Sequence, residues 1–479
     1  MRQIPRYKRD KYIFISNLKN ITANPDHPIT LKRDGYLLSE QFSTATMVEL
    51  AHWVKKKRNL LVSDNGNFTR MKAIASSFDE AGESLLNLAL DEVKTQGQVT
   101  QVTLDAREVL FEEIVTACKN SSEMLDLGSV IERQLEINPD YLIGLEDFTI
   151  PVLMMCGLMH PVFDPAPESV KTFQKKTARL FSDQALGEFG HMQGLSKTSK
   201  FLVLHAYDYS SAFQGANQLH SVDAEGVAIS YGGPMRSKRW ITSLRFGDTI
   251  ESFDEKLPEP YLISTALTMG AANGLRSDMP MHILGVGSPI LIALIGQLLH
   301  RSRGVSIDST APFKDSNVGT LYGSRAAFLK MDMYKVAAHG LIENKPFSSI
   351  TPYFKRFEND FPSNWLSLRS ELGVTSATDV KDLAKQLKSA PILVEKYIPF
   401  FSRMRSGDNA MIKQLRIDRA GHNFWILRNI CVSVRKRMSD HGKIEKWMQY
   451  QVNRYKSVAS KKWSKAVEVA FELSKKHID

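Results

Sequence analysis

Acidic residues of this 479-residue chain recur where a short apolar run stops. Asp308 closes RGVSID, Asp64 closes NLLVSD, Glu146 and Asp147 close YLIGLED, and His205 and Asp208 follow FLVL. A carboxylate at the carboxyl end of a strand stands where α/β folds carry out their chemistry. The same residue type is also a common cap or turn former. Glycines accompany these acids: Gly285 and Gly287 follow MHIL, and Gly232 and Gly233 follow GVAISY. A glycine pair lets a backbone approach a ligand closely, or makes a tight turn. Residues 281–312 join both features, reading as a strand, an apolar helix and a second strand ending on Asp308.

The elements that must hold these residues alternate. Short strands are expected at 60–64, 141–146, 201–205, 226–231, 281–286 and 304–308, most of them separated by helical stretches. KYIFISN also reads as a strand, DHPITLKRDGYLL as a loop, and ATMVELAHWVKKKR as a helix with a basic end that suits the helix dipole. Apolar residues at helical spacing mark 104–120, 128–136 and 169–186. Alternating strands and helices predict an α/β protein, a (β/α)8 TIM barrel with insertions and an irregular N-terminal segment over residues 1–325. A doubly wound sheet is the competing arrangement. Polar or glycine-rich residues end each of these strands, as expected when strand ends surround one site, and this favours the barrel. Residues 326–479 are expected to be an α-helical, basic C-terminal region without strands, with TDVKDLAKQLKS, NFWILRNICVSVRKRM and KKWSKAVEVAFELSKKH among its helices.

A composition of 43% apolar and 24% charged residues is that of a globular protein. Cys118, Cys156 and Cys431 lie far apart with no CxxC pair, which supports neither a disulfide framework nor a cysteine metal site and points to a reducing compartment. The N-terminal residues have no apolar core of signal length, and the longest apolar run, 283–299, is broken by glycine and glutamine, so a soluble cytoplasmic protein without membrane contact is expected. The formal charge of +10 and pI of 9.2 favour an anionic partner, nucleic acid being the commonest, against a merely basic surface. Arg435, Lys436 and Arg437 open a basic tail interleaved with Trp447, Tyr450, Tyr455 and Trp463. Such residues neutralise phosphates and stack on bases, or form a solvated helix face over a core of aromatics. Arg236, Lys238 and Arg239, past the Gly232 strand end, are a second candidate for phosphate contact.

The segment Gly285, Val286, Gly287, Ser288, Pro289, followed by Arg303, Gly304, Ile307, Asp308 and Pro312, resembles the GVG(T/S)P and RG…FDCVxPT segments of the tRNA-guanine transglycosylases and their DNA-modifying relatives. Lys314 and Gly319 fall where that family has a basic residue and a glycine. NLLVSDNGNF is similar to its LTDSGGFQ, with Asp64, Gly66 and Phe68 matching; YLIGLEDFT resembles MAFDECTP, and AISYGGP resembles AIGGLxVGE. These blocks keep family order over residues 59–323, and His422 and Asn423 extend the match as an HN motif.

The resemblance implies roles residue by residue. Asp308 takes the position of the nucleophile that attacks the nucleoside C1′ and holds a covalent glycosyl-enzyme intermediate. Asp64 takes that of the acid/base that protonates departing guanine and deprotonates the incoming base. Glu146, with Asp147, falls where an acid reads the base edge, and Gly232 or Gly233 where a backbone amide contacts it. Gly285 and Phe68 belong to the matched substrate-binding segments, and Lys314 to a phosphate contact. Base exchange at a sugar carbon requires two such carboxylates, one to form the covalent intermediate and one to shuttle a proton, and no ATP or redox cofactor.

Departures from the family qualify these implications. His205 and Ala206 stand where the family has Gln-Gly-Gly, which shifts base recognition towards neighbours such as Asp208. The CxCxxC zinc cluster is absent, so no cofactor and no family-type zinc are expected, and His422 is expected to be packed or capping. With the shortened N-terminal segment, this looks more like the DNA-guanine transglycosylase branch, which places 7-deazaguanines such as 7-cyano-7-deazaguanine into DNA in bacteria and phages. The expected partners are then DNA, with tRNA as the alternative, the deazaguanine base, and a helicase-like or other DNA-modification protein. The setting is the cytoplasm of a bacterial or phage-infected cell. Two competitors remain: a non-catalytic nucleic-acid-binding paralogue, whose mark would be loss of a catalytic acid, and an unrelated barrel enzyme using Gly285 and Gly287 to cradle a phosphate.

Overall fold

The computed structural model describes residues 11–17, 34–42, 44–56, 59–124, 126–144, 148–163, 198–219, 225–231, 240–246, 249–275, 279–302, 304–323, 328–344, 351–354, 363–402 and 409–476. In chain order the strands are β1 (Lys11–Asn17), β2 (Gly35–Ser39), β3 (Leu60–Asp64), β4 (Tyr141–Ile143), β5 (Ser199–Leu204), β6 (Gly226–Ser230), β7 (Trp240–Phe246), β8 (Thr249–Pro258), β9 (Met281–Leu284), β10 (Gly304–Asp308), β11 (Thr320–Tyr322) and β12 (Lys330–Asp332). The helices are α1 (Ala45–Lys56), α2 (Asn67–Gln96), α3 (Gln101–Glu123), α4 (Leu127–Glu136), α5 (Thr149–Met155), α6 (Tyr209–Gln218), α7 (Glu259–Gly274), α8 (Pro289–Leu298), α9 (Ala311–Asn317), α10 (Met333–Glu343), α11 (Ser363–Glu371), α12 (Val380–Ser389), α13 (Pro391–Tyr397), α14 (Asn409–Arg435), α15 (His441–Lys456) and α16 (Lys461–Lys476).

Strands β1 to β6, β9 and β10 close into a parallel barrel in the order β1-β10-β9-β6-β5-β4-β3-β2. The fold is therefore a (β/α)8 barrel with insertions and a helical C-terminal region. Parallel strands wrapped by helices are covered on both faces, and β2, β6 and β10 are buried along their whole length. Each of the six strand stretches expected from the sequence enters the barrel. Three are shorter than expected: β4 stops at Ile143, β6 at Ser230 and β9 at Leu284.

Three differences from the expectation have physical reasons. GYLLS, part of a stretch that reads as a loop, is β2. Its apolar run is only three residues long after a glycine, and a strand buried on both faces shows no alternation to betray it. Strand β12, KMD, lies in the region expected to have no strands; three residues carry no periodicity. The antiparallel hairpin of β7 and β8, inserted between β6 and α7, is half exposed and rich in charge, so no apolar run announces it. The sequence-predicted helix at 169–186 lies outside the described residues.

The barrel lumen is filled by inward residues such as Ile13, Ile15, Leu60, Val62, Tyr141 and Phe201. Outside it, α7, α8 and α14 to α16 share one large core with the outward faces of β1, β6, β9 and β10. Helix α14 covers β1: Phe424 packs on Phe14 at 6.0 Å between ring centroids, and ten residues later Val434 borders Tyr12 at Gly296. The helix thus runs antiparallel to β1. A second core lies within residues 321–401, built by α10 to α13 with Phe400 and Phe401.

Candidate active site

Strand alternation decides which side chains of β10 enter the lumen. Val305 and Ile307 join the outer core, so Ser306 and Asp308 face inward. Asp308 is 7% exposed, at the carboxyl end of its strand. The amide of Gly285, just past β9, donates to the Asp308 carbonyl at 3.1 Å and to its Oδ1 at 3.2 Å. Gly285 does this with φ of 83°, a left-handed backbone that a side chain disfavours. At Gly287 a Cβ would stand 2.3 Å from the Cβ of Ala311 and 2.7 Å from the Ser309 hydroxyl. The GVGSP turn therefore packs directly on the segment that carries Asp308, and its glycines serve first to hold that acid.

Asp64 ends β3 with the same parity as the lumen residues Leu60 and Val62. Pairing of Ser39 with Asp64, and of Ile15 with Asp308, puts both acids at the carboxyl mouth of the barrel. Asp64 Oδ2 accepts from the amide of Gly66 at 3.3 Å, whose φ of 74° turns the chain into α2. This turn is braced. Asn65 Nδ2 donates to the Gly144 carbonyl at 2.6 Å, and Arg70 donates to the Asn65 carbonyl and to Asn67 Oδ1. The buried Glu40 pairs with Arg70 at 3.2 Å and with Arg133 at 3.1 Å. Phe68, 40% exposed, lies in the first turn of α2 beside Asp64.

His205 follows β5 with the inward parity of Phe201 and Val203 and is partly buried at the mouth. Asp208 caps α6, its Oδ1 accepting from the amide of Ser211 at 2.7 Å within a reciprocal capping box. Lys314 is exposed on α9, the helix that follows Asp308. Arg435, Lys436 and Arg437 lie at the end of α14 and just past it. Because α14 runs antiparallel to β1, they sit towards the amino ends of the strands, opposite the acids; Arg437 stacks over Trp447 at 5.3 Å. Glu146, Asp147, Gly232, Gly233, Arg236, Lys238 and Arg239 fall outside the described residues.

Sequence inspection passes over three polar residues beneath Asp308. His282 on β9, fully buried, places Nε2 3.5 Å from Asp308 Oδ1 and Nδ1 2.8 Å from the Ser306 hydroxyl. Tyr141 reaches across the lumen to Ser306 at 2.5 Å and to His282 Nδ1 at 3.2 Å. Burial pushes the Tyr141 phenol far above its usual range, so it stays protonated. The available signal was parity: His282, two residues before Leu284, shares the inward face of its strand.

His422 and Asn423 act as a clamp. His422 places Nε2 2.8 Å from the Tyr322 carbonyl and Nδ1 3.0 Å from the Thr351 hydroxyl, and burial lowers its pKa to about 4. Asn423 donates to the Pro312 and Thr320 carbonyls and accepts from the Tyr322 amide. Helix α14 thereby grips the α9–β11 segment that follows Asp308. Among the described residues, no group of three or more His, Cys, Asp and Glu side chains is arranged to hold a metal ion, and no helix is long and apolar enough to cross a membrane. No protein-family model and no curated protein matches the chain.

Proposed function

We propose that this chain is a base-exchange transglycosylase that replaces guanine in DNA by a 7-deazaguanine, with Asp308 as nucleophile and Asp64 as general acid/base. The observation that carries this is the pair of inward carboxylates at one mouth of a closed barrel, one sequestered and held by a backbone amide, the other partly exposed. Asp308 attacks C1′ of the target nucleotide as the bond from C1′ to the guanine ring nitrogen breaks, and Asp64 gives the departing base its proton. The entering base returns a proton to Asp64, its nitrogen attacks C1′, and the ester to Asp308 breaks. Bonds and protons balance, and neither step needs an oxidant or ATP. A duplex target must be flipped or opened to bring C1′ to the mouth. Lys314, exposed on the helix that follows Asp308, is suited to a phosphate of the extruded strand.

The test is incorporation of radiolabelled guanine into a DNA oligonucleotide and, in parallel, into a tRNA transcript. Wild-type protein is expected to label DNA, Asp308→Ala to abolish labelling, and Asp64→Asn to lower it by about 10²- to 10⁴-fold. Labelling retained by Asp308→Ala would remove that residue from the mechanism. Labelling of tRNA alone would change the polymer.

A further inference from the structure

Among the described residues, the Asp308 carboxylate is met at Oδ1, by the Gly285 amide at 3.2 Å and by His282 Nε2 at 3.5 Å. The hydrogen-bond network assigns the imidazole tautomer. Tyr141 and Ser306 each have one hydroxyl proton, and the protonated phenol requires an acceptor, which is the Ser306 oxygen. Ser306 must then donate to His282 Nδ1, which leaves the ring proton on Nε2, aimed at Asp308. The opposite tautomer leaves one of the two hydroxyl protons without an acceptor in this network and sets a nitrogen lone pair against a carboxylate. The donors run in one direction, from Tyr141 to Ser306 to His282 to Asp308. The 3.5 Å gap at the last step exceeds a hydrogen bond; such contacts are often long before substrate arrives.

We propose that His282 is the positioning residue of Asp308: with the Gly285 amide it holds Oδ1, so that Oδ2 is the oxygen that attacks. This rests on Asp308 being the nucleophile. Of the titratable groups, Asp308 from β10 and Tyr141 from β4 contact the imidazole, while Asp64 from β3 and His205 from β5 face the same mouth. A donor fixed on Oδ1 sets the direction in which Oδ2 faces C1′, so removing it lets the carboxylate turn away from the line of attack.

The experiment measures radiolabelled-guanine exchange and the covalent protein–DNA adduct on denaturing gels, with the full chain. His282→Phe is expected to lower kcat by about 10- to 100-fold with KM within about twofold. His282→Gln, which keeps an N–H donor, should recover a large part of kcat. An unchanged kcat in His282→Phe, alongside an inactive Asp308→Ala, overturns the role of His282 and leaves the nucleophile standing. Wild-type protein that labels neither DNA nor tRNA and forms no adduct overturns both. Should His282→Phe fail to fold, Ser306→Ala decides: a smaller loss of kcat at unchanged KM supports the proposal, and an unchanged kcat overturns it.

Discussion

A buried neutral histidine makes folding sensitive to acid. His422 has its pKa lowered by burial from the ordinary 6.5 to about 4. Above pH 6.5 both folded and unfolded chains carry it neutral, and it adds no pH dependence. As pH falls from 6.5 towards 4, only the unfolded chain binds the proton, so stability is lost through that window, on the order of 3 kcal/mol. Urea denaturation of wild-type protein and His422→Gln at several pH values should show the gap between them shrinking by about that amount on acidification; a gap independent of pH would sink this account. The acids at strand ends are legible from sequence because an acid after an apolar run breaks the pattern. His282 is not, because one histidine inside a strand looks like any packed core residue, and its partners Ser306 and Tyr141 come from strands far along the chain. Asp208 shows the second use of an acid after a strand: its side chain caps the next helix.

Between elements, small residues decide how closely helices approach. In α7, a Cβ on Gly270 would stand 2.2 Å from the backbone carbonyl of Tyr209, and one on Gly274 2.5 Å from that of Phe213, both at α6. Alanine raises helix propensity by about 1 kcal/mol over glycine, but overpacking against backbone costs about 1–3 kcal/mol. Gly270→Ala should therefore be net destabilising, by roughly 1–2 kcal/mol. Its contrast is Gly215→Ala, where the obstacle is the end of the Leu204 side chain, which should stay within about 0.5 kcal/mol of wild type. Equal urea midpoints for the two variants would contradict a backbone clash. Helices with strong apolar spacing, such as α3, α4, α12 and α16, are legible from sequence. The β7–β8 hairpin and β12 are not, since half-exposed or three-residue strands leave no apolar period.

For the molecule as a whole, the decisive contact joins its two ends. Phe424, Ile426, Leu427, Ile430, Cys431 and Val434 of α14 enter the same core as Tyr12 and Phe14 of β1. At about 2 kcal/mol for each buried apolar side chain, those six are worth roughly 10 kcal/mol, comparable with the ~5–15 kcal/mol by which a typical domain is stable. A chain ending at Ala326 should thus lack a cooperative thermal transition by circular dichroism and be digested throughout by low protease; a sharp melt would refute the dependence. The barrel was legible from its alternating strands and helices, and so was α14 as a helix, but its docking on β1 was not, because nothing local to α14 names its distant partner. The pairing of Phe14 with Phe424 also sets a clock. During synthesis at ~5–20 residues per second, the outer face of β1 waits about 20–80 s for the helix that covers it, and over that interval the nascent chain offers an uncovered aromatic strand to chaperones and to neighbouring chains on the same messenger.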